Sequence, residues 1–266
     1  MTGRLPRILR AGMGATPVDA ASASATIAIY SVKGGVGKTT LSANLAWCSS
    51  QLAGRTTLLW DLDAAGGSGF LYGIAPHGAR LVEEVFARDR HPSKLVRKTV
   101  FERLDLLPAD DSIRALNEQL TRIGKRKRLA KVAEDLGRDY QRIILDCPPV
   151  MNEISAQIVR AADLIIVPLP PSPLSARAFE VVVREIADNT KRHPPILPVL
   201  SMLDMRRALH RQAAEANPTW PVVPYASAVE QCAVRQLPVG AFAPGNQAVQ
   251  RFAALWKAIE AKLATR

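Results

Sequence analysis

Short, almost uninterrupted apolar runs recur along the sequence from residue 26 onward, and stretches with a helical period separate them. The runs predict strands over residues 26–31, 56–63, 104–109, 142–148, 163–169, 195–203 and 220–225. The stretches between them predict helices over residues 38–52, 81–88, 112–123, 127–137, 153–161, 173–189, 205–215 and 246–264. Strands without polar alternation are typical of parallel sheets that helices cover on both faces. The predicted fold class is α/β, a doubly wound, mostly parallel sheet with ligands at the carboxyl ends of its strands.

The predicted domain organisation is one folded unit with a tail. Residues 26–266 are expected to form a single domain, because no internal repeat or low-complexity linker interrupts the series. Residues 1–25 are expected to form a flexible basic tail, since three arginines lie there among Gly, Ala, Ser and Pro. The tail has no continuous apolar stretch, which argues against a secretory signal. A contact of this arm with DNA or lipid is the alternative to a purely solvated tail.

The charge of the chain favours an acidic partner. The sequence has 35 Lys and Arg residues against 24 Asp and Glu residues, a net charge of +11. Nucleic acid and an anionic membrane surface both fit this charge. The three cysteines are odd in number and widely spaced, so neither a disulfide framework nor a metal knuckle is indicated. No apolar run reaches the length of about 18 residues that predicts a spanning helix. The number and spacing of the cysteines suit a reducing cytosol.

A glycine-rich loop with two lysines follows the first predicted strand, in the stretch SVKGGVGKTT (31–40). An ordinary phosphate loop has glycine at the position of Val32. The helix that follows offers its N-terminal amides and dipole to a phosphate. Lys38 is predicted to bind the β- and γ-phosphates of ATP, Thr39 to hold Mg²⁺ and Thr40 to bind the α-phosphate. The predicted nucleotide-binding residues of the loop are Gly34, Gly35, Val36, Gly37, Lys38, Thr39 and Thr40.

The stretch KGGVGKTT resembles the deviant Walker A motif of the ParA/MinD family of P-loop ATPases. In that family the extra lysine, here Lys33, reaches across an ATP-bound dimer to the phosphates of the partner subunit. The resemblance implies the P-loop NTPase fold, ATP and Mg²⁺ as cofactors, and a homodimer around two ATP molecules. A cation from a second subunit stabilises charge on the transferred phosphoryl group as an arginine finger does. Lys33 would therefore link dimerisation to the bound nucleotide.

Aspartates end two of the predicted strands. Asp61 and Asp63 lie in LLWDLDAAGG, and Asp146 lies in RIILDCPP. These segments resemble switch I and the Walker B strand with switch II of the same family. The resemblance implies that Asp61 faces the Mg²⁺ shell, that Asp63 orients or activates the attacking water, and that Asp146 holds Mg²⁺ through water. Ala64 and Ala65 replace the usual Pro-Gln pair, so a more flexible switch I is expected.

The resemblance extends over about residues 26 to 264 and implies further contacts. Met202 and Pro224 would lie near the adenine. ParA-type members bind DNA without sequence preference through basic residues, which gives an affinity that falls steeply with salt. The predicted DNA-binding residues are Lys125, Arg126, Arg206, Arg207, Arg211 and Arg235. Arg206 matches a DNA-contacting arginine of the family, whereas Ala228 occupies the position of a second one.

The predicted function is an ATP-dependent dimerising switch in the cytoplasm, associated with the nucleoid. It would hydrolyse ATP weakly, stimulated by a ParB-like or cargo-adaptor protein, to segregate or position a plasmid, a chromosome region or a protein cluster. The alternative is a membrane-recruited positioning ATPase of the MinD type, because the last predicted helix has an apolar stripe. This stripe is expected to pack in the core instead. It consists of Phe252, Leu255, Trp256, Ile259 and Leu263.

Two further functions receive little support from the sequence. An iron–sulfur ATPase on the same fold would need a pair of cysteines near the dimer axis, and the three cysteines do not show that placement. Autorepression through a helix-turn-helix domain is not expected either, because only 25 residues precede the predicted ATPase domain.

Overall fold

A single sheet contains all eight strands that the computed structural model defines in its described residues, 24–75, 82–88, 90–123, 127–189 and 193–265. The strands are β1 (Ala25–Ile29), β2 (Thr57–Asp61), β3 (Arg97–Lys98), β4 (Leu104–Leu107), β5 (Arg142–Asp146), β6 (Leu164–Leu169), β7 (Ile196–Leu203) and β8 (Val222–Pro224). Their order across the sheet is β3-β4-β2-β5-β1-β6-β7-β8. All neighbouring strands are parallel except β3, which runs antiparallel to β4. The first 23 residues, which include nearly all of the predicted tail, lie outside the described residues.

Helices connect the strands and cover the sheet. They are α1 (Lys38–Trp47), α2 (Gly67–Leu71), α3 (Leu116–Ile123), α4 (Arg128–Leu136), α5 (Glu153–Ala161), α6 (Pro173–Asn189), α7 (Ala208–Ala216), α8 (Ser227–Arg235), α9 (Val239–Phe242) and α10 (Gln247–Ala264). Single turns of other helix types occur at Cys48–Leu52, Val82–Ala87, Pro92–Lys94 and Asp111–Ala115.

Two apolar cores lie on opposite faces of the sheet. Side chains of α3 to α6, such as Leu120 and Ile158, pack on one face. Side chains of α1 and of α8 to α10, such as Leu41 and Phe252, pack on the other. Burial on both faces explains the continuous apolar runs of the strands. The predicted doubly wound fold is confirmed.

The central strand β1 is the point at which the chain reverses its progress across the sheet. It lies between β5 and β6, so the loop after β1 opens at a topological switch point, where α/β folds bind their ligands. In register, Asp146 lies beside both Ile29 of β1 and Asp61 of β2. The fold therefore brings the three predicted phosphate-loop and carboxylate segments to one edge.

Several elements differ from the sequence prediction. The two-residue strand β3 has no apolar run, and α2 has the glycine-rich sequence GSGFL without helical periodicity, so neither was predicted. Helices α8 and α9 were also missed. The helix predicted from residue 205 begins at Ala208, because the Asp204 carboxylate accepts a hydrogen bond from the Arg206 main-chain N–H (3.1 Å) and closes a turn there.

The last helix, α10, belongs to the core. The predicted apolar stripe is buried at Phe252, Leu255, Trp256 and Ile259, and Leu263 is partly buried against the same core. Glu260 on the same helix accepts hydrogen bonds from Arg142 Nε (2.7 Å) and Nη2 (2.8 Å), at the start of β5. The burial and this ion pair together fix α10 to the sheet. Among the described helices, none has the length and apolar character needed to cross a bilayer.

Candidate nucleotide site

The loop between β1 and α1 has the backbone shape of a phosphate cradle. Gly35 and Gly37 adopt φ values of 72° and 87°, in the left-handed region that glycine enters at least cost. Gly37 directly precedes α1, and no side chain caps the start of this ten-residue helix. The first-turn amides of an uncapped helix need acceptors from elsewhere. Together with the helix dipole they suit a bound phosphate.

The two lysines of the loop have different surroundings. Lys38 is only 7% exposed, and its Nζ donates a hydrogen bond to the Lys33 carbonyl (3.3 Å). Burial lowers the pKa of Lys38, and the nearby Asp146 opposes that shift. The half-exposed Lys33 side chain has no ion-pair partner among the described residues. Lys38 therefore points into its own site, whereas the Lys33 ammonium is available.

Asp146 connects three segments of the site. Its carboxylate is fully buried and accepts hydrogen bonds from the hydroxyls of Ser42 on α1 (3.3 Å) and Ser68 on α2 (2.8 Å). The Thr39 hydroxyl also bonds to it. Sequence reasoning missed both serines. Ser42 could have been found from the sequence, because it lies one helical turn after Lys38. Nothing in the GGSG stretch distinguishes Ser68 as a site residue.

Asp61 is held by main-chain amides. Its Oδ1 accepts from the Asp63 N–H (3.1 Å), and its Oδ2 accepts from the Ser68 N–H (2.9 Å). Asp61 therefore also fixes the start of α2. A β-carbon on Gly67 would lie 2.8 Å from Thr39 Cγ2, so only glycine lets this segment pack against Thr39.

The buried carboxylates form a site suited to a hard divalent cation. Burial, followed by the charge of Asp146, raises the pKa of Asp61. Burial also raises the pKa of Asp146, against the hydrogen bonds from Ser68 and Thr39. Two like charges removed from water favour a bound cation. Oxygen ligands from Thr39, Asp61 and Asp146 are the donors that Mg²⁺ prefers. The residues present fit Mg²⁺.

Asp63 is the more accessible of the two aspartates at the end of β2. It is half-exposed, and its Oδ1 accepts a hydrogen bond from the Ala65 N–H (3.0 Å). Its charge acts on both Lys38 and Asp146, which places it near the predicted phosphate position. Because both Asp61 oxygens are occupied by amides, Asp63 is the better placed of the two to bind a water.

A mostly apolar cavity of about 150 Å³ opens beside the loop. Gly37 and Thr40 line it together with Met202 and Pro224, the two residues that the family resemblance assigns to the adenine. A β-carbon on Gly37 would lie 3.2 Å from Met202 Cε, so the two segments are in close contact. Apolar walls next to a phosphate loop suit a flat base.

Three of the predicted DNA-binding arginines form one exposed cluster at the carboxyl edge of the sheet. Arg206 and Arg207 lie in the turn after β7, and Arg211 lies in the first turn of α7. The Arg206 guanidinium forms a two-bond ion pair with Asp204, at 2.8 and 2.9 Å. Arg207 has no ion-pair or hydrogen-bond partner through its side chain among the described residues. The cluster Arg206, Arg207 and Arg211 is called the carboxyl-edge arginine cluster below.

The other predicted DNA-binding residues are Arg235, Lys125 and Arg126. Arg235 ends α8, and its guanidinium lies 4.9 Å from the centre of the Phe242 ring. Lys125 and Arg126 lie outside the described residues. Arg128, from the same KRKR run, is buried and donates to the Val85 carbonyl. Ala228, at the position of the second family arginine, is partly buried against the core.

The three cysteines are all buried thiols. Cys48 lies in the turn after α1, Cys147 directly follows β5, and Cys232 lies on α8. None of them is presented at the surface as a paired iron–sulfur ligand would need to be.

The stability of the nucleotide-free protein is expected to fall as pH rises from about 4 to about 8. Burial raises the pKa of Asp61 from 3.8 to about 8, so in this window the folded state keeps a proton that the unfolded state has lost. The melting temperature at pH 8 should therefore be lower than at pH 6. Asp61→Asn, which resembles the protonated form, should reduce this difference. An equal pH dependence in both proteins, measured by thermal unfolding, would contradict the raised pKa of the buried Asp61 carboxyl.

Comparisons with known proteins agree with this geometry. A family model described as an AAA domain matches residues 24–198. The sporulation initiation inhibitor protein Soj of Bacillus subtilis is 29% identical over 195 residues, covering 71% of this chain and 77% of Soj. The chromosome partitioning protein ParA of Myxococcus xanthus is 34% identical over 145 residues, 54% of this chain and about half (51%) of that protein. The septum site-determining protein MinD of Pyrococcus horikoshii, solved with Mg-ADP, shares the fold. It has a TM-score of 0.72 and 23% identity, and the match covers 89% of this chain and 96% of MinD.

Proposed function

Because the chain belongs to the ParA/MinD family of P-loop ATPases, we propose that it is an ATP-dependent dimerising switch that binds DNA without sequence preference. Hydrolysis of ATP would release it and so segregate or position a cargo: a plasmid, a chromosome region or a protein cluster. The single observation that carries this proposal is the available ammonium of Lys33, on the same loop as the buried Lys38. Lys38 already serves its own loop, and a second, available ammonium on the same loop suits phosphates held by another subunit.

Each side chain of the site has a proposed role in binding or hydrolysis. Lys38 and the amides at the start of α1 hold the phosphates, while Thr39, Asp61 and Asp146 hold Mg²⁺. Bound Mg²⁺ neutralises charge on the phosphoryl oxygens. Asp63 accepts a hydrogen bond from the attacking water and orients it. The cavity beside Met202 and Pro224 takes the base.

The carboxyl-edge arginine cluster is the proposed DNA contact. It lies at the same edge of the sheet as the loop that carries Lys33, so dimerisation and DNA binding involve neighbouring surfaces. A dimer would present two copies, and affinity from counterion release rises with the number of phosphates neutralised. The net charge of +11 supports the same partner. Arg206 would exchange Asp204 for a phosphate, whereas Arg207 has no such partner to lose.

The proposed cellular role follows the relatives' names, which are those of sporulation and chromosome-partitioning proteins. The protein would act in the cytoplasm on the nucleoid, with weak hydrolysis stimulated by a ParB-like or cargo-adaptor protein. A MinD-type attachment through the last helix would require α10 to expose side chains that now pack in the core. We therefore propose DNA binding, and the experiment below also tests for membrane binding.

Sedimentation with DNA or with anionic liposomes, with and without ATP and over a salt series, tests this function. We expect ATP-dependent binding to DNA that weakens steeply with salt. The triple variant Arg206→Ala, Arg207→Ala, Arg211→Ala should lose at least about tenfold in DNA affinity, since three phosphate contacts disappear from each subunit.

The matched control removes three positive charges from elsewhere, through Arg138→Ala, Lys257→Ala and Lys262→Ala. All three residues are exposed, on or just after α4 and along α10. The control should bind DNA nearly as well as the parent protein. Equal losses in both variants would reduce the cluster to general surface charge. ATP-dependent binding to liposomes and not to DNA would replace the proposal with the membrane function.

A further inference from the structure

A fully buried tyrosine connects the nucleotide loop to the segment that follows Asp146. Tyr30 comes directly after β1, and its main-chain N–H donates to the Ile166 carbonyl (2.9 Å). Its hydroxyl donates to the carbonyl of Val150 (3.0 Å), which lies 120 residues later in the chain. Val150 follows Asp146 by four residues. The hydroxyl therefore joins the start of the phosphate loop after β1 to the end of the segment that follows Asp146.

The segment that Tyr30 contacts is held at its other end by the start of α5. The Asn152 side chain accepts from the Ile154 N–H (3.0 Å), and the Ser155 hydroxyl accepts from the Asn152 N–H (2.9 Å). This reciprocal pair is a capping box. Ser155 Oγ also lies 2.5 Å from Oε1 of Glu185 on α6. Residues 147–152 are thus held at Val150 by the buried Tyr30 hydroxyl and at Asn152 by the first turn of α5.

The same tyrosine is close to the loop that carries Lys33. The residue after Tyr30 is Ser31, whose hydroxyl accepts from the Lys33 main-chain N–H (3.2 Å). A continuous set of bonds therefore runs from the Lys33 backbone through Ser31 and Tyr30 to the Val150 carbonyl. Burial, followed by the charge of Glu185, raises the pKa of Tyr30 far above its ordinary range. The hydroxyl stays protonated and remains a donor.

We propose that Tyr30 is a positioning residue for ATP hydrolysis, which holds residues 147–152 in place relative to the phosphate loop through its bond to Val150. This inference rests on the proposed ATPase function and adds a residue that touches neither nucleotide nor metal. Without the hydroxyl, the Val150 carbonyl loses a buried donor and the segment gains freedom. The phosphate loop and the carboxylates keep their own contacts. Binding of nucleotide should therefore be spared while turnover falls.

Tyr30→Phe tests the inference by separating kcat from KM. A hydrogen bond is worth about 0.5–1.5 kcal/mol, so kcat for ATP should fall by about 2- to 13-fold. The KM for ATP and the affinity for ADP should stay close to the parent values. Without nucleotide, hydrogen exchange at the amides of residues 150–155 should be faster in Tyr30→Phe than in the parent protein. Ser155→Ala, which removes the other fastening of the segment, should change kcat and exchange in the same direction.

Tyr140→Phe is the matched control. Its hydroxyl donates to Asp105 (2.7 Å) near the amino ends of β4 and β5, and its loss should leave kcat unchanged. The inference is overturned if Tyr30→Phe leaves kcat and exchange at 150–155 unchanged, or if kcat and nucleotide affinity fall together. A parent protein that does not hydrolyse ATP would instead overturn the proposed function. Exchange at 150–155 would still decide whether Tyr30 holds the segment.

Discussion

Lys38→Ala is expected to lower the affinity for ATP by about 150- to 5,000-fold. Lys38, the first residue of α1, is the buried ammonium of the phosphate loop, and its Nζ donates to the Lys33 carbonyl within that loop. Removing one partner of a buried, hydrogen-bonded charge pair costs about 3–5 kcal/mol. Titration with a fluorescent ATP analogue or calorimetry measures the loss directly.

The control for this variant is Lys257→Ala, which removes an exposed lysine from α10. Its affinity for ATP should equal that of the parent protein. Both variants should unfold at similar temperatures without nucleotide, since a loss of fold would mimic a loss of binding. If Lys38→Ala binds ATP as the parent does, the loop is not a phosphate site and the assignment of the base cavity fails with it.

Asp63→Ala is expected to keep ATP binding and to lose hydrolysis. Asp63 is half-exposed beside Lys38 and Asp146, and a positioned carboxylate of this kind contributes about 10²- to 10⁴-fold to a rate. With turnover blocked, the ATP-bound form should accumulate. The variant should therefore remain dimeric and bound to DNA after the parent protein has dissociated. Phosphate release and DNA sedimentation over time measure the two effects.

Asp188→Ala, an exposed aspartate on α6, is the control for charge. It should hydrolyse ATP at the parent rate. Normal turnover by Asp63→Ala would remove Asp63 from catalysis and leave Asp61 as the aspartate of switch I to examine. The Asp61 carboxylate, however, already accepts main-chain N–H groups at both oxygens.

The local part of the site could be predicted from the sequence, because its geometry depends on neighbouring residues. The loop needs glycines at left-handed positions, and Gly35 and Gly37 supply them. The placement of Asp61 beside Asp146 follows from two apolar strands of similar length that run parallel in register. The position of both aspartates at the carboxyl edge requires only the periodicity of the sequence and the rules for parallel sheets, whereas the pairing of β2 with β5 is a feature of the sheet order.

The contacts between distant segments could not be predicted in this way. The bond from Ser42 to Asp146 spans 104 residues and the one from Tyr30 to Val150 spans 120. Neither residue has a spacing that distinguishes it from an ordinary core or helix residue. The ion pair of Arg206 is different, since Asp204 lies only two residues away and could have been paired with it from the sequence.

Charge alone was a poor guide to which basic residues face a partner. Arg128 lies in the KRKR run but is buried, because its long side chain reaches the Val85 carbonyl under the neighbouring segment. The Arg235 guanidinium lies over the Phe242 ring, and its Nε donates a hydrogen bond to Gln231 (3.0 Å). Burial and side-chain direction in these cases depend on the tertiary packing, which composition does not contain.

The molar mass of the protein with ADP and with ATP, measured by light scattering, tests the central claim most directly. The measurement is made on the single variant Asp63→Ala, so that ATP is not consumed. The same measurement is made on the double variant that also carries Lys33→Ala. We expect a monomer with ADP, a dimer with ATP, and a monomer in both states for the double variant, which should still bind ATP. If the double variant dimerises with ATP as the single variant Asp63→Ala does, the claim that Lys33 links the bound nucleotide to dimerisation is contradicted.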